Sequence, residues 1–175
     1  MSILKVARMG HPVLRTKARS LDRSELKTPL VQKLVDDMIE TMVEYHGVGL
    51  AAPQVHEGVR LFVAALGSSD ESEADETFVI VNPEVVPTGP EIVEDWEGCL
   101  SIPDIKGRVP RAREVKVRAL DRHGERIELR AHDFQARVIQ HETDHLDGIL
   151  FFDRMRSFDS LAFLDEYSKY WLKDR

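Results

Sequence analysis

Apolar residues recur at helical spacing in two stretches of the chain. Between Pro29 and Tyr45 the residues Leu30, Val31, Leu34, Val35, Met38, Ile39, Met42 and Val43 fall on one stripe, which predicts an amphipathic helix. Thr28 is suited to cap it, because its hydroxyl can accept from an orphan N–H of the first turn, and Pro29 loses no donor there. The methionines of the stripe read as core fillers. The second stretch follows Asp133, an N-cap candidate, and carries Phe134, Val138, Ile139 and Leu146 with no glycine or proline before Gly148. It predicts a helix from about Phe134 to about Asp147, ended by Gly148 in a left-handed conformation.

Other segments follow the two-residue period of strands. Val59–Ala65 and Phe78–Val81 are rich in strand formers, and Val115–Leu120 and Arg126–Arg130 alternate with polar residues. The last two are joined by Asp121-Arg122-His123-Gly124, a turn sequence, so they predict a hairpin. The run from Gly67 to Glu76 is polar and acidic and reads as a mobile loop. A C-terminal helix is expected over Ser157–Lys173, with Leu161, Phe163, Leu164 and Tyr167 to pack it. No strand–helix–strand alternation appears. An α+β fold is expected, with further helices near each end.

Composition narrows this picture. The chain has 175 residues, 42% of them hydrophobic, enough for one domain over residues 1–175 with a real core. A net charge of −7 argues against a general DNA-binding surface. No apolar run is long enough to span a bilayer, and residues 1–6 lack the apolar core of a signal peptide.

The second predicted helix carries Gln140-His141-Glu142-Thr143-Asp144-His145. Residues four apart share a helix face, so both imidazoles point at one spot, where two nitrogens can hold a divalent metal. Glu142, rotated by about 100° from His141, can stand beside that spot and move a proton. A catalytic site of this kind needs a third protein ligand and keeps one position for water. Cys99, the one cysteine in the chain, is a candidate. It has no disulfide partner, and Gly98 beside it lets the backbone approach closely. A thiolate that must stay reduced to ligate suits a reducing cytoplasm. A third segment, Gly47-Val48-Gly49-Leu50-Ala51-Ala52-Pro53-Gln54, has almost no side-chain bulk before Gln54. Its backbone can approach a ligand, and Gln54 adds a neutral amide donor.

These three segments together resemble the peptide deformylase family, whose GxGLAAxQ, EGCLS and QHExDHLxG segments occur in that order. Here they read GVGLAAPQ from Gly47, EGCLS from Glu97 and QHETDHLDG from Gln140. The resemblance spans about Ile3 to Arg154, and it implies small antiparallel sheets packed around the central helix that carries the two histidines. It implies one divalent metal held by Cys99, His141 and His145, with water in the fourth position; Fe²⁺ is expected, and Zn²⁺ or Ni²⁺ is compatible with the same ligands. It implies that this water attacks the formyl carbon of N-formylmethionyl peptides, with Glu142 as general acid/base and Gln54 and the Leu100 N–H as donors to the carbonyl oxygen. Val48, Gly49, Glu97, Gly98, Arg137 and Val138 are expected around the substrate. Of these Val48 and Val138, with Leu100, line an apolar slot for the methionine. Transient contact with the ribosome follows from the substrate.

Four side chains carry more specific expectations. Arg137, four residues before His141, leans toward the metal face; its stem is expected to line the slot and its head to reach the entrance. Asp144 either orients a ligating histidine or is solvated. Glu97 is expected to pair with Arg111 and brace the loop of Cys99. Trp96 is a core or rim residue. Asp104 and Lys106 depart from residues common in the family and bear on loop shape. Two rival functions share the histidine pair. A zincin-type metallopeptidase would use another third ligand and has no need of EGCLS; a non-enzymatic module with a structural metal would want four protein ligands.

Overall fold

The computed structural model describes residues 2–67 and 77–172. The acidic run expected as a loop lies, beyond Gly67, outside the described residues. Among the described residues eight strands form two antiparallel sheets. In the larger the order is β1 (Gly49–Ala51), β2 (Leu61–Ala65), β3 (Thr77–Pro87), β6 (Glu114–Leu120), β7 (Arg126–His132); in the smaller it is β4 (Ile92–Cys99), β5 (Ile102–Ala112), β8 (Ala162–Phe163). The helices are a short α1 (Arg23–Leu26), α2 (Pro29–Glu44), α3 (Asp133–Leu146) and α4 (Leu164–Tyr170). No helix among the described residues is long and apolar enough to cross a membrane.

The larger sheet lies between α2 and α3, which explains why β2 is a continuous apolar run. Phe62 and Ala64 pack with Ala136, Val138, Ile139 and Leu146 of α3. Leu61 and Val63 pack with Val35, Met38 and Met42 of α2. A strand covered on both faces has no solvent side to keep polar. Leu30 and Val43, at the margins of the α2 stripe, are exposed. A third cluster, with Ile102, Val109, Leu150 and Phe151, anchors the smaller sheet.

Local signals act as expected at most element ends. Thr28 Oγ1 accepts from Val31 N at 3.4 Å at the start of α2. Gly148 takes φ +74° after α3, where a Cβ would lie 2.8 Å from the Arg15 carbonyl. Asp121 Oδ1 accepts from the N–H groups of His123 and Glu125, both at 2.8 Å, closing the β6–β7 turn.

Three expectations are corrected. Asp133 is the first residue of α3, and His132 is its cap; the Asp133 carboxylate accepts from Arg113 at 2.9 Å instead of capping. The segment around Cys99 is no loop: β4 runs to Cys99 and pairs with β5, with a register shift between Gly98 and Cys99. The C-terminal helix is confined to Leu164–Tyr170, because Ala162 and Phe163 pair with Lys106 and Ile105 of β5.

Candidate metal centre

Helix α3 and the end of β4 meet at one point. The donor atoms of Cys99, His141 and His145 all lie within 4.8 Å of one another. Cys99 Sγ is 3.2 Å from His145 Nε2, and the two imidazole centroids are 5.0 Å apart. Among the described residues this is the one cluster of its kind. Sulfur and two imidazole nitrogens suit Zn²⁺, Fe²⁺ or Ni²⁺. Glu142 Oε2 is buried without a partner beside the cluster, as a polar group facing an exogenous ligand would be. The residues therefore fit one divalent ion.

Glu97 orients the first histidine. Its Oε2 stands 2.9 Å from His141 Nδ1, so the Nδ1 proton is donated to the carboxylate and Nε2 is left for a metal. Arg111 donates to both Glu97 oxygens at 2.9 and 3.0 Å, and Arg137 donates to Oε1 at 2.9 Å. Four bonds use the full acceptor capacity of a carboxylate. Burial pushes the Glu97 carboxyl up, but the hydrogen bonds from His141 and Arg111 outweigh it and hold the pKa at about 2. Glu97 is thus a brace under His141 while also lining the cavity over the cluster.

Asp144 follows neither expectation. It is buried, and the partners of its carboxylate are arginines. It accepts from Arg111 at 2.5 Å and from Arg154 at 2.7 and 3.1 Å, so it steadies Arg111 from the far side. Arg137 is also corrected. It lines the cavity, but its head does not reach the entrance. The guanidinium is buried beneath the smaller sheet and donates to the carbonyls of Val93 and Val109, each at 2.7 Å, as well as to Glu97.

Glu142 sits on α3 beside the cluster, and burial raises its carboxyl to about 7. A Cβ at Gly49 would collide with that carboxyl, so glycine at the edge of β1 is what lets Glu142 stand there. Gln54, in the 3₁₀ turn Ala52–Val55, accepts from Ala51 N at 2.8 Å through Oε1. This turns its Nε2 toward Ser101 Oγ at 3.2 Å and Cys99 Sγ at 3.5 Å. Ser101, two residues after the thiol, is buried there as the acceptor for Gln54, a place not expected from the sequence. The N-terminal segment joins both parts: Ala7 N donates to Gln54 O at 2.7 Å and Met9 N to Ser101 O at 2.8 Å.

A cavity of about 650 Å³ opens over the cluster. Val48, Gly49, Gly98, Leu100, Val138, Glu142 and Gln54 line it. Trp96 does too, while packing edge-on against Tyr167 at 4.8 Å. Asp104 and Lys106 stand at the same cavity, Asp104 with φ +62°. The walls at Gly49 and Gly98 are the sheet-edge strands β1 and β4.

A thiol and two imidazoles, a buried carboxyl near neutrality and an aimed amide together fit a mononuclear metallohydrolase. A profile of the polypeptide deformylase family matches residues 3–160. Peptide deformylase 2 of Nostoc sp. is 40% identical over 95% of this chain and 94% of its own length. The peptide deformylase of Halothermothrix orenii is 44% identical over 89% of this chain and 95% of its own. The crystal structure of a class I type b peptide deformylase from Acinetobacter baumannii with Met-Ala-Ser bound superposes with a TM-score of 0.82, at 40% identity, over 89% of this chain and all of that one. The chain belongs to the polypeptide deformylase family, hydrolases that remove the N-formyl group from new polypeptides.

Proposed function

We propose that this chain hydrolyses the terminal formamide of N-formylmethionyl peptides, with Cys99, His141 and His145 holding one divalent ion. Fe²⁺ is the ion expected in the cell, and Zn²⁺ or Ni²⁺ satisfies the same donors. When bound, the ion supplies Lewis acidity that makes water nucleophilic near neutral pH and polarises a carbonyl. The observation that carries the reading is the meeting of Cys99 with His141 and His145 while Glu142 and Gln54 flank the same point.

The chain's own groups divide the work. Glu142 takes the proton that water loses on attacking the formyl carbon. It returns that proton to the amine nitrogen as the C–N bond breaks, giving formate and a free N-terminus. Burial raises its carboxyl above the ordinary carboxylate range, the direction that suits a group which donates a proton as well as accepting one. Gln54 Nε2 and the Leu100 N–H donate to the developing oxyanion. Glu97, anchored by Arg111 and Arg137, keeps His141 in one tautomer and one orientation. Val48, Leu100 and Val138 provide the apolar wall for the methionine. The sheet edges at Gly49 and Gly98 can pair with an extended peptide.

A relative crystallised with Met-Ala-Ser supports a peptide product in this cavity. Residues 1–175 act as one catalytic unit on new chains in the cytoplasm, in transient contact with ribosomes and without DNA or a membrane. Formate release from a formylated peptide, without cleavage of the chain, separates this activity from a metallopeptidase. Glu142→Gln is expected to lower kcat by about 10²–10⁴-fold with bound metal retained; full activity in that variant would overturn the mechanism.

A further inference from the structure

The turn that follows α3 bears on the metal cluster in two ways. Phe151 opens the 3₁₀ turn Phe151–Arg154. It is buried and stacked on His141, with ring centroids 6.3 Å apart and planes inclined by 26°. Glycine in β5 makes room for it: a Cβ at Gly107 would lie 3.2 Å from the Phe151 ring and 2.8 Å from Met155 Cε. Arg154 closes the turn, and its Nε and Nη2 donate to the two Asp144 oxygens at 3.1 and 2.7 Å. From there charges of alternating sign run inward. Arg111 Nη1 donates to Asp144 at 2.5 Å, and its Nε and Nη2 donate to Glu97 at 2.9 and 3.0 Å. His141 Nδ1 donates to Glu97 at 2.9 Å. Glu97, Arg111 and Asp144 are buried, whereas the Arg154 side chain, at the outer end of the series, is 45% exposed.

We propose that Arg154 is a positioning residue for His141, acting through Asp144, Arg111 and Glu97. The proposal rests on the reading of Cys99, His141 and His145 as metal ligands. Its physical basis is competition for one guanidinium. Arg111 serves two buried carboxylates, Glu97 and Asp144. With Arg154 in place, Asp144 has a second cation, and two prongs of Arg111 stay on Glu97. Without Arg154, Asp144 loses two donors. A buried carboxylate short of donors is costly, so Arg111 is drawn toward Asp144 and its grip on Glu97 loosens. His141 then loses the fixed orientation that an outer partner gives a ligating imidazole. Phe151 confines the ring at its face, and the ion-pair series confines it at Nδ1.

The test loads the protein with one Zn²⁺ per chain and follows transfer of the ion to an excess of chelator. Arg154→Met keeps the apolar stem and removes the donors. Release should quicken about ten-fold, the lower end of the effect of losing an outer partner of a ligating histidine. Arg154→Lys keeps the charge without the fork and should recover part of the loss. Arg15 pairs with Asp153 of the same turn in solvent, so Arg15→Ala controls for local loosening and should stay within about two-fold of the native rate. With Co²⁺ in place of Zn²⁺, Arg154→Met should shift the visible absorption at unchanged metal content, as a reoriented ligand would. Melting curves report whether each variant is folded. A native protein that binds no ion, or binds one equally well after Cys99→Ser, would sink the metal reading itself. An ion held at those residues and released at the native rate by Arg154→Met would sink the positioning role alone. So would an equal acceleration in Arg15→Ala, which would trace the effect to general loosening of the turn.

Discussion

Helix α3 brings His141, Glu142 and His145 to one place within a single helical turn, whereas the β4–β5 hairpin delivers Cys99 only through long-range pairing. The helix needs little outside help to aim its imidazoles, since spacing alone puts them on one face. The hairpin contains Pro103, Gly107 and Pro110, and a register shift precedes its thiol. It is fixed to the helix by a buried network in which Arg111 joins Glu97 to Asp144 and Arg137 joins Glu97 to three carbonyls of β4 and β5. One arm is specified by local periodicity, the other by charge held out of water.

The sharpest way to break that contrast is Arg111→Met. It leaves Glu97 and Asp144 buried with one cation fewer, and loss of one partner of a buried pair costs about 3–5 kcal/mol. Denaturant unfolding should show this, and an unchanged midpoint would mean that the hairpin does not depend on the network. Gly49→Ala acts on the helix arm. The added methyl displaces the Glu142 carboxyl, and a misplacement of that order lowers kcat about 10²-fold with KM and metal content nearly unchanged. Equal loss in KM would instead point to a blocked cavity.

Acid tests the network without a change in any neighbour. The Glu97 pKa is about 2 in the fold against an ordinary 4.5. A depressed carboxylate contributes stability that is complete above about 4.5 and lost as the pH falls toward 2. In the metal-free protein, Glu97→Gln should flatten the acid dependence across that window, and an identical profile would remove Glu97 as its source. The smallest effect is expected at Arg113, whose pairs with Glu91 and Asp133 sit in solvent at the start of α3. Arg113→Ala should leave the unfolding midpoint within error, because exposed pairs contribute little. A large shift there would erase the distinction between buried and exposed arginines.

The same contrast explains what could be read from the residues. Helices α2 and α3 and the β6–β7 hairpin follow local periodicity, and their spans were close to those expected. The meeting of Cys99, His141 and His145 at one possible metal site was legible because two of them lie on one helix and the third is the chain's one cysteine. Strands β4 and β5 were not legible: their prolines and glycines obscure alternation, and their strand character comes from pairing with each other. The head of Arg137 was misplaced for that reason, since its acceptors are carbonyls of strands that periodicity did not announce. Asp144 was unreadable because its partners, Arg111 and Arg154, come from two different elements. The tail was read as too long a helix because Phe163 fits a helical stripe as well as it fits a strand against β5.

The saturation of Glu97 carries a kinetic consequence. A carboxylate that answers to α3 through His141 and Arg137, and to β5 through Arg111, couples the opening of one element to the other. Amide hydrogens of α3 and of the β4–β5 pair should then exchange with solvent as one cooperative unit, at a common opening free energy. The two faces of the cavity would lose protection together, and an ion seated between them would leave no faster than that shared opening allows.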